Sequence, residues 1–195
     1  MNNEKVDLAI RDGLGPGHTF MALDYFTKQA VEANPSGLFL EFGVASGSTI
    51  NQMAKAFPEI TFHGFDSFKG LPELWRPEVP EGTFACDVPT VEENVKLHIG
   101  LFQDTLQDFL TNNPSDVSFV HLDADLYSST AYVLEKMQHR FVEGTIVVLD
   151  ELAAYSGYQE HEYKAFNEFL ERTSFDVDFL GKIHEESYVF KLVRK

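Results

Sequence analysis

Val117-Ser118-Phe119-Val120-His121-Leu122 runs into Asp123-Ala124-Asp125, and Thr145-Ile146-Val147-Val148-Leu149 runs into Asp150-Glu151. Short apolar runs rich in β-branched residues read as strands buried on both faces of a parallel sheet. Carboxylates just past the carboxyl ends of such strands sit where open α/β sheets bind ligands. Asp150 follows Asp123 by 27 residues, the length of one strand–helix–strand unit. Consecutive parallel strands usually neighbour each other, so the two acidic tips are expected side by side. Four acids gathered there repel one another unless protons or a cation intervene. Hard oxygen donors suit Mg²⁺, Ca²⁺ or Mn²⁺, and Asp125 could act beside the metal as a general base. The competing reading has the acids capping the following helices, Asp125 ahead of Leu126-Tyr127-Ser128 and Glu151 in a loop. Capping asks for one acid per helix, not four.

Working outward, strands alternate with helices. Residues 1–17 end in Gly13-Leu14-Gly15-Pro16-Gly17 and read as a flexible lead-in. Apolar residues at helical spacing predict a helix over 19–33, stopped by Asn34-Pro35. Strands are expected at 37–42, 60–65 and 96–99, and helices at 48–57 and 104–110. Further helices are expected at about 128–140 and 158–172. The chain closes with strands 175–180 and 187–193, which lack a helix between them and should form an antiparallel hairpin at the sheet edge. The alternation predicts an α/β fold, a Rossmann-like, doubly wound, mostly parallel sheet with that C-terminal antiparallel hairpin. Residues 1–35 form an N-terminal segment and helix, and 36–195 the main domain. Residues 69–94, with four prolines and the single tryptophan Trp75, are expected to be irregular; a stretch of that length is usually functional or mobile.

Two further features carry chemistry. In Leu38-Phe39-Leu40-Glu41-Phe42-Gly43-Val44-Ala45-Ser46-Gly47-Ser48 a strand turns into a helix through two glycines. Glycine allows a tight turn and close approach of a ligand, and helix-start N–H groups favour polar or anionic ligand groups. A dinucleotide fingerprint asks for glycines at 43, 45 and 48; the chain has Gly43, Ala45 and Ser48. That spacing disfavours an NAD-dependent oxidoreductase. The loop is either a structural turn or motif I of a class I S-adenosylmethionine-dependent methyltransferase, which it resembles. Asp66 ends the next strand. An acid there can accept the ribose hydroxyls of a nucleoside cofactor, although an Asp before Ser is also a common turn cap.

Composition bounds the rest. At 195 residues, folding buries roughly 70% of the unfolded chain's surface, enough for one core without disulfides. Cys86 is the single cysteine, so an intramolecular disulfide is impossible and a cytoplasmic location is expected. A formal net charge of −16 argues against nucleic-acid and membrane partners. No signal peptide or transmembrane run is visible. His161-Glu162 is followed by Ala165 where a zinc protease needs histidine. Phosphate-loop and Gly-x-Ser-x-Gly signatures are absent. His18, His98, His139 and His184 read as surface or core positions.

Taken together, Leu40–Val44, Gly64–Glu73, Gly100–Leu106, Leu122–Thr130 and Leu149–Glu151 resemble the macrocin O-methyltransferase family, class I enzymes that methylate sugar hydroxyls in antibiotic biosynthesis. The resemblance implies S-adenosylmethionine and a divalent cation, usually Mg²⁺. It places the cofactor on Glu41, Gly43, Gly47 and Ser48 of the glycine loop, on Asp66, Ser67 and Phe68, and on Phe102, Asp104 and Asp123. It places the metal on Asp123, Asp150 and Glu151, and the base at Asp125. It implies a small-molecule hydroxyl acceptor and a possible homodimer. Glu151 departs from the family, which usually has Asp there. The segment before the first strand is shorter than in the antibiotic enzymes, where it helps form a lid. The loop 71–92, with Trp75 and Phe84, is then the candidate acceptor wall. A catechol or other diol acceptor, or a non-catalytic S-adenosylmethionine-binding module, are the alternatives.

Overall fold

The computed structural model describes residues 4–13 and 19–195. Seven strands form one sheet: β1 (Leu38–Phe42), β2 (Phe62–Asp66), β3 (Val95–Ile99), β4 (Val117–Leu122), β5 (Phe141–Leu149), β6 (Phe175–Gly181) and β7 (Tyr188–Arg194). Among the described residues the helices are α1 (Glu4–Gly13), α2 (Leu23–Ala33), α3 (Ser48–Ala56), α4 (Phe102–Asn112), α5 (Tyr127–Met137) and α6 (Glu162–Arg172), with a single 3₁₀ turn at Tyr158–Glu160. None is long and apolar enough to cross a membrane.

The strand order is β3-β2-β1-β4-β5-β7-β6. Strands β1 to β5 pair in parallel, and β7 runs antiparallel to both β5 and β6. The chain winds outward from β1 through β2 to β3, then returns to β4 on the other side of β1. The crevice above the β1–β4 boundary is therefore the switch point where such sheets bind ligands. The expected mostly parallel sheet and its terminal hairpin are both present; the hairpin docks through its second strand.

Successive residues of a strand face opposite sides of the sheet, and the two layers of core follow that rule. Leu38, Leu40 and Phe42 pack on one side with Val120, Leu122, Phe166 and Phe169, under α1, α4, α5 and α6. Phe39, Phe119, Ile146 and Val148 pack on the other side with Phe26, Ile50 and Met53 of α2 and α3. Every residue of β1 and β4 is buried. Burying one such Phe, Val or Leu side chain contributes about 1.5–3 kcal/mol, so the central strands anchor the sheet from both faces.

Several expected boundaries shift. Residues 4–13 form a helix, not a flexible lead-in: Val6, Ala9, Ile10 and Gly13 recur at helical spacing and are buried. Lys5 pairs with Asp176 at 2.9 Å and the Tyr163 hydroxyl donates to Asp7 at 2.5 Å, which tie α1 to β6 and α6. The remainder of that lead-in, 1–3 and 14–17, lies outside the described residues. Helix α2 starts at Leu23 rather than at 19, because Phe20 bridges to Lys182 and the Met21 N–H donates to the Lys182 carbonyl at 2.8 Å. Helix α5 stops at Met137 rather than at 140. The Arg140 carbonyl accepts the Val117 N–H at 2.9 Å and its guanidinium donates to Leu110 and Pro114 carbonyls, so Phe141 already pairs with β4.

The stretch 69–94 is irregular as expected, but it is pinned down. Leu71 and Thr83, and Gly82 and Leu71, exchange backbone bonds of 2.9 Å. Leu71, Trp75 and Val79 pack with Leu126 and Tyr155 in a third small core.

Candidate active site

The glycine loop and the first acidic tip are in backbone contact. The Asp123 N–H donates to the Phe42 carbonyl at 2.9 Å. Gly43 sits at φ +92°, and a Cβ there would stand 1.7 Å from the Asp123 carbonyl oxygen. Only glycine permits that conformation and that approach. Above this contact opens a cavity of about 400 Å³. Its wall includes Gly43 and Ala45 from the loop, Asp66 and Ser67 after β2, Phe102 from α4, and Asp123, Asp125, Asp150 and Glu151 from the two tips.

Asp66 organises the loop. One oxygen accepts the Val44 and Ala45 N–H groups at 2.8 Å each, and the other accepts the Phe68 N–H at 2.7 Å. A carboxylate offers about four acceptor sites, so one remains for a ligand hydroxyl. Phe102 meets Phe42 edge to face at 5.2 Å and lines the cavity.

Five residues expected at the cofactor lie off the cavity wall. Glu41 is fully buried beneath the floor, where it faces α3. Gly47 neighbours Pro89 and Asn51, and Ser48 begins α3 behind the loop. Phe68 turns into the core on the α2–α3 side. Asp104 is exposed in the first turn of α4, where its N–H donates to the Leu101 carbonyl.

Beneath the acids runs a buried polar chain that the sequence reading did not find. Glu41 on β1 lies directly opposite His121 on β4 in the strand register, and both face the α2–α3 side. The Thr49 hydroxyl donates to Glu41 at 2.9 Å. The two ring nitrogens of His121 contact Glu41 at 3.1 Å and Asp150 at 3.2 Å. The second Asp150 oxygen meets His184 Nε2 at 3.0 Å. Burial opposes charge on His121, yet its hydrogen bonds to Asp150 and Glu41 win and hold the imidazolium well above the usual range. The Asp150 carboxyl is likewise buried, but the two histidines hold it well below the usual carboxylate range. His184, read from sequence as an ordinary position, is raised by its bond to Asp150.

The other three acids behave oppositely. Burial, then the Asp150 charge, pushes Asp123 well up. Burial, then Asp150, raises Asp125 to about 7, with Arg76 acting against them. Burial, Asp123 and Glu162 push Glu151 well up. Asp125 holds φ +59° at the turn into α5, which aims its carboxyl into the cavity. Glu162, fully buried at the start of α6, accepts the Glu151 N–H at 3.1 Å and so fixes the second tip.

Oxygens of Asp123, Asp125 and Glu151 come within 4.8 Å of one another, as do ligand atoms of His121, Asp123 and Asp150. Both ring nitrogens of His121 are already engaged, so the carboxylates are the available donors. Glu151 Oε2 is buried and makes no hydrogen bond among the described residues. Three clustered carboxylates resisting ionisation, one with an orphaned oxygen, fit a hard divalent cation.

The profile of the macrocin-O-methyltransferase (TylF) family matches residues 86–183, just over half of the chain and both acidic tips. The chain belongs to the macrocin-O-methyltransferase family. It is an S-adenosylmethionine-dependent O-methyltransferase. Among solved structures, the calicheamicin methyltransferase CalS11 is 24% identical over 86% of this chain and 76% of its own, with a TM-score of 0.70. The O-methyltransferase NovP is 19% identical over 91% and 83%, with a TM-score of 0.65. TomG from Streptomyces achromogenes, solved with S-adenosylmethionine, is 14% identical over 100% and 92%, with a TM-score of 0.55. At these identities the likeness is one of fold. No curated protein matches the chain.

Proposed function

We propose that this macrocin-O-methyltransferase family member is a divalent-metal-dependent enzyme that methylates a hydroxyl of a sugar or sugar-containing small molecule in the cytoplasm. The observation that carries the proposal is the pair of overlapping groups beside the glycine loop, Asp123 with Asp125 and Glu151, and Asp123 with Asp150 and His121, which share Asp123 and whose carboxylates line the cavity. A sugar acceptor is supported by the family and by CalS11, described as a TDP-rhamnose 3'-O-methyltransferase. Residues 36–195 are assigned as the catalytic domain, with residues 1–35 as an N-terminal segment and helix.

Gly43 and Ala45 would border the cofactor, Asp66 would offer its remaining acceptor site to a ribose hydroxyl, and Phe102 would flank the adenine. Asp123, Asp150 and Glu151 would hold Mg²⁺, which when bound supplies positive charge that lowers the pKa of an acceptor hydroxyl. Asp125, raised to about 7, is matched to taking a proton from that hydroxyl near neutral pH. The acceptor oxygen then forms a bond to the methyl carbon as the carbon–sulfur bond breaks. The electron pair stays on sulfur, leaving S-adenosylhomocysteine and a methyl ether. Asp150, gripped by His121 and His184, stays ionised and fixed, so the site is organised before the acceptor arrives.

The test is transfer of labelled methyl groups to a panel of free sugars, sugar nucleotides, glycosides and catechols, with Mg²⁺ and with EDTA. EDTA is expected to lower the rate at least about a hundredfold, and added Mg²⁺ to restore it. Full activity in EDTA sinks the metal role, and transfer confined to catechols sinks the sugar acceptor.

A further inference from the structure

Six carboxylates line the cavity: Asp66, Asp123, Asp125, Asp150, Glu151 and Glu186. One cationic side chain stands among them, Arg76, on the loop that follows β2. The Trp75 N–H donates to the Val79 carbonyl at 3.1 Å, and this bridge holds the Trp75-Arg76 step against the protein. The Arg76 guanidinium lies 3.9 Å from the Trp75 ring centre and 5.1 Å from that of Tyr155. Trp75 and Tyr155 meet edge to face at 5.7 Å, and the His161 ring closes the group at 6.2 Å from each.

Stacking leaves the in-plane donors of a guanidinium free to bind a planar anion side-on. Among the described residues, the acid paired with Arg76 is Glu78, 3.5 Å from Nε and 70% exposed. Exposed pairs of this kind contribute little. Arg76 Nε is buried and makes no hydrogen bond among the described residues. A half-buried cation on an aromatic platform faces the cavity with the exposed Glu78 beside it and the Asp125 charge within its field, and no acid among the described residues pairs with it side-on.

We infer that Arg76, held on the Trp75 and Tyr155 rings, recognises an anionic group, a carboxylate or a phosphate, on the methyl acceptor, whose hydroxyl reaches Asp125. The inference deepens the proposed reaction and rests on the assignment of this cavity to the acceptor. In a cavity lined by six acids, an anionic acceptor needs such a contact to bind. A wrong acceptor without the anion forfeits a charge-assisted bond, so Arg76 would set specificity.

Trp75 is the single tryptophan of the chain, so its fluorescence reports on this spot. The full-length enzyme, saturated with S-adenosylhomocysteine and Mg²⁺, is titrated with methyl β-glucuronide, glucose 1-phosphate and methyl β-glucoside. At least one anionic probe is expected to change the emission saturably and to bind at least about tenfold tighter than the neutral glucoside. Which anion binds tighter identifies carboxylate or phosphate as the group read. Arg76→Gln is expected to weaken the anion at least about tenfold, and Arg76→Lys to weaken it less, with S-adenosylhomocysteine affinity unchanged in both. Equal affinity for glucoside and anions overturns the inference, as does no saturable change with any probe, or unaltered anion affinity in Arg76→Gln. The wild-type comparison decides even if a variant folds poorly. Failure of methyl transfer with intact anion binding counts against the proposed reaction and not against the anion site.

Discussion

Asp125→Asn is expected to lower kcat for methyl transfer by about 10²–10⁴-fold while leaving S-adenosylmethionine binding intact. General-base catalysis contributes on that scale. The substitution preserves shape and removes the proton-accepting charge. Asparagine also tolerates the positive φ of +59° better than other residues, so the turn into α5 should survive. The sign of the pH dependence follows from the raised pKa. The base works only when ionised, so kcat/KM in the wild type should climb as pH rises through the Asp125 ionisation and then level off; the metal-free protein holds that carboxyl up at about 7, and a bound cation shifts the limb to lower pH. That limb should vanish in Asp125→Asn. A variant within about threefold of the wild type, or one that keeps the limb, would show that another group takes the proton.

Replacing His121 with Leu should cost about 3–5 kcal/mol of stability, the usual penalty for breaking a buried ion pair from one side. Glu41 is fully buried, and without His121 its remaining side-chain partner is the Thr49 hydroxyl. For a chain of this size the loss corresponds to roughly 6–20 °C in melting temperature. Adding Glu41→Gln to His121→Leu removes the stranded charge and should recover part of the loss. The two ionised partners have opposite pH signatures. His121 has a raised folded pKa, so its contribution is complete below the ordinary imidazole value and is lost as pH rises through the folded one. Asp150 has a depressed one, so its contribution is present above the ordinary carboxylate value and is lost as pH falls through the folded one. Denaturant midpoints of the two variants check this; a loss under about 1 kcal/mol for His121→Leu would remove His121 from the support of the site.

The sheet and both acidic tips were legible because β4 and the last half of β5 carry short, largely apolar runs rich in β-branched residues that end directly in acids. The expected strand at 117–122 coincides with β4, and the two tips adjoin through β4–β5 pairing. The support beneath the tips was not legible. Glu41 and His121 are 80 positions apart, and their contact depends on the β1–β4 register, which no local pattern encodes. A histidine inside an apolar strand, on the face that also holds a lone glutamate of the neighbouring strand, was the available signal. His184 lies in the β6–β7 turn, and nothing in its surroundings announces Asp150. The glycine turn between β1 and α3 was legible from its spacing, but spacing alone could not show that Glu41, Gly47, Ser48, Phe68 and Asp104 lie off the cavity wall. Helix α1 was missed because the glycine-rich run after it outweighed the spacing of Val6, Ala9, Ile10 and Gly13.

The central claim is that the acids at the ends of β4 and β5 hold a metal beside the cofactor. A crystal structure with S-adenosylhomocysteine and Mn²⁺, with an anomalous difference map at the manganese edge, tests it most directly. The account predicts a manganese peak bounded by Asp123, Asp150 and Glu151, with the cofactor in the same crevice beside Gly43. A cofactor in the crevice with manganese absent from these carboxylates, or a cofactor bound elsewhere, would contradict it.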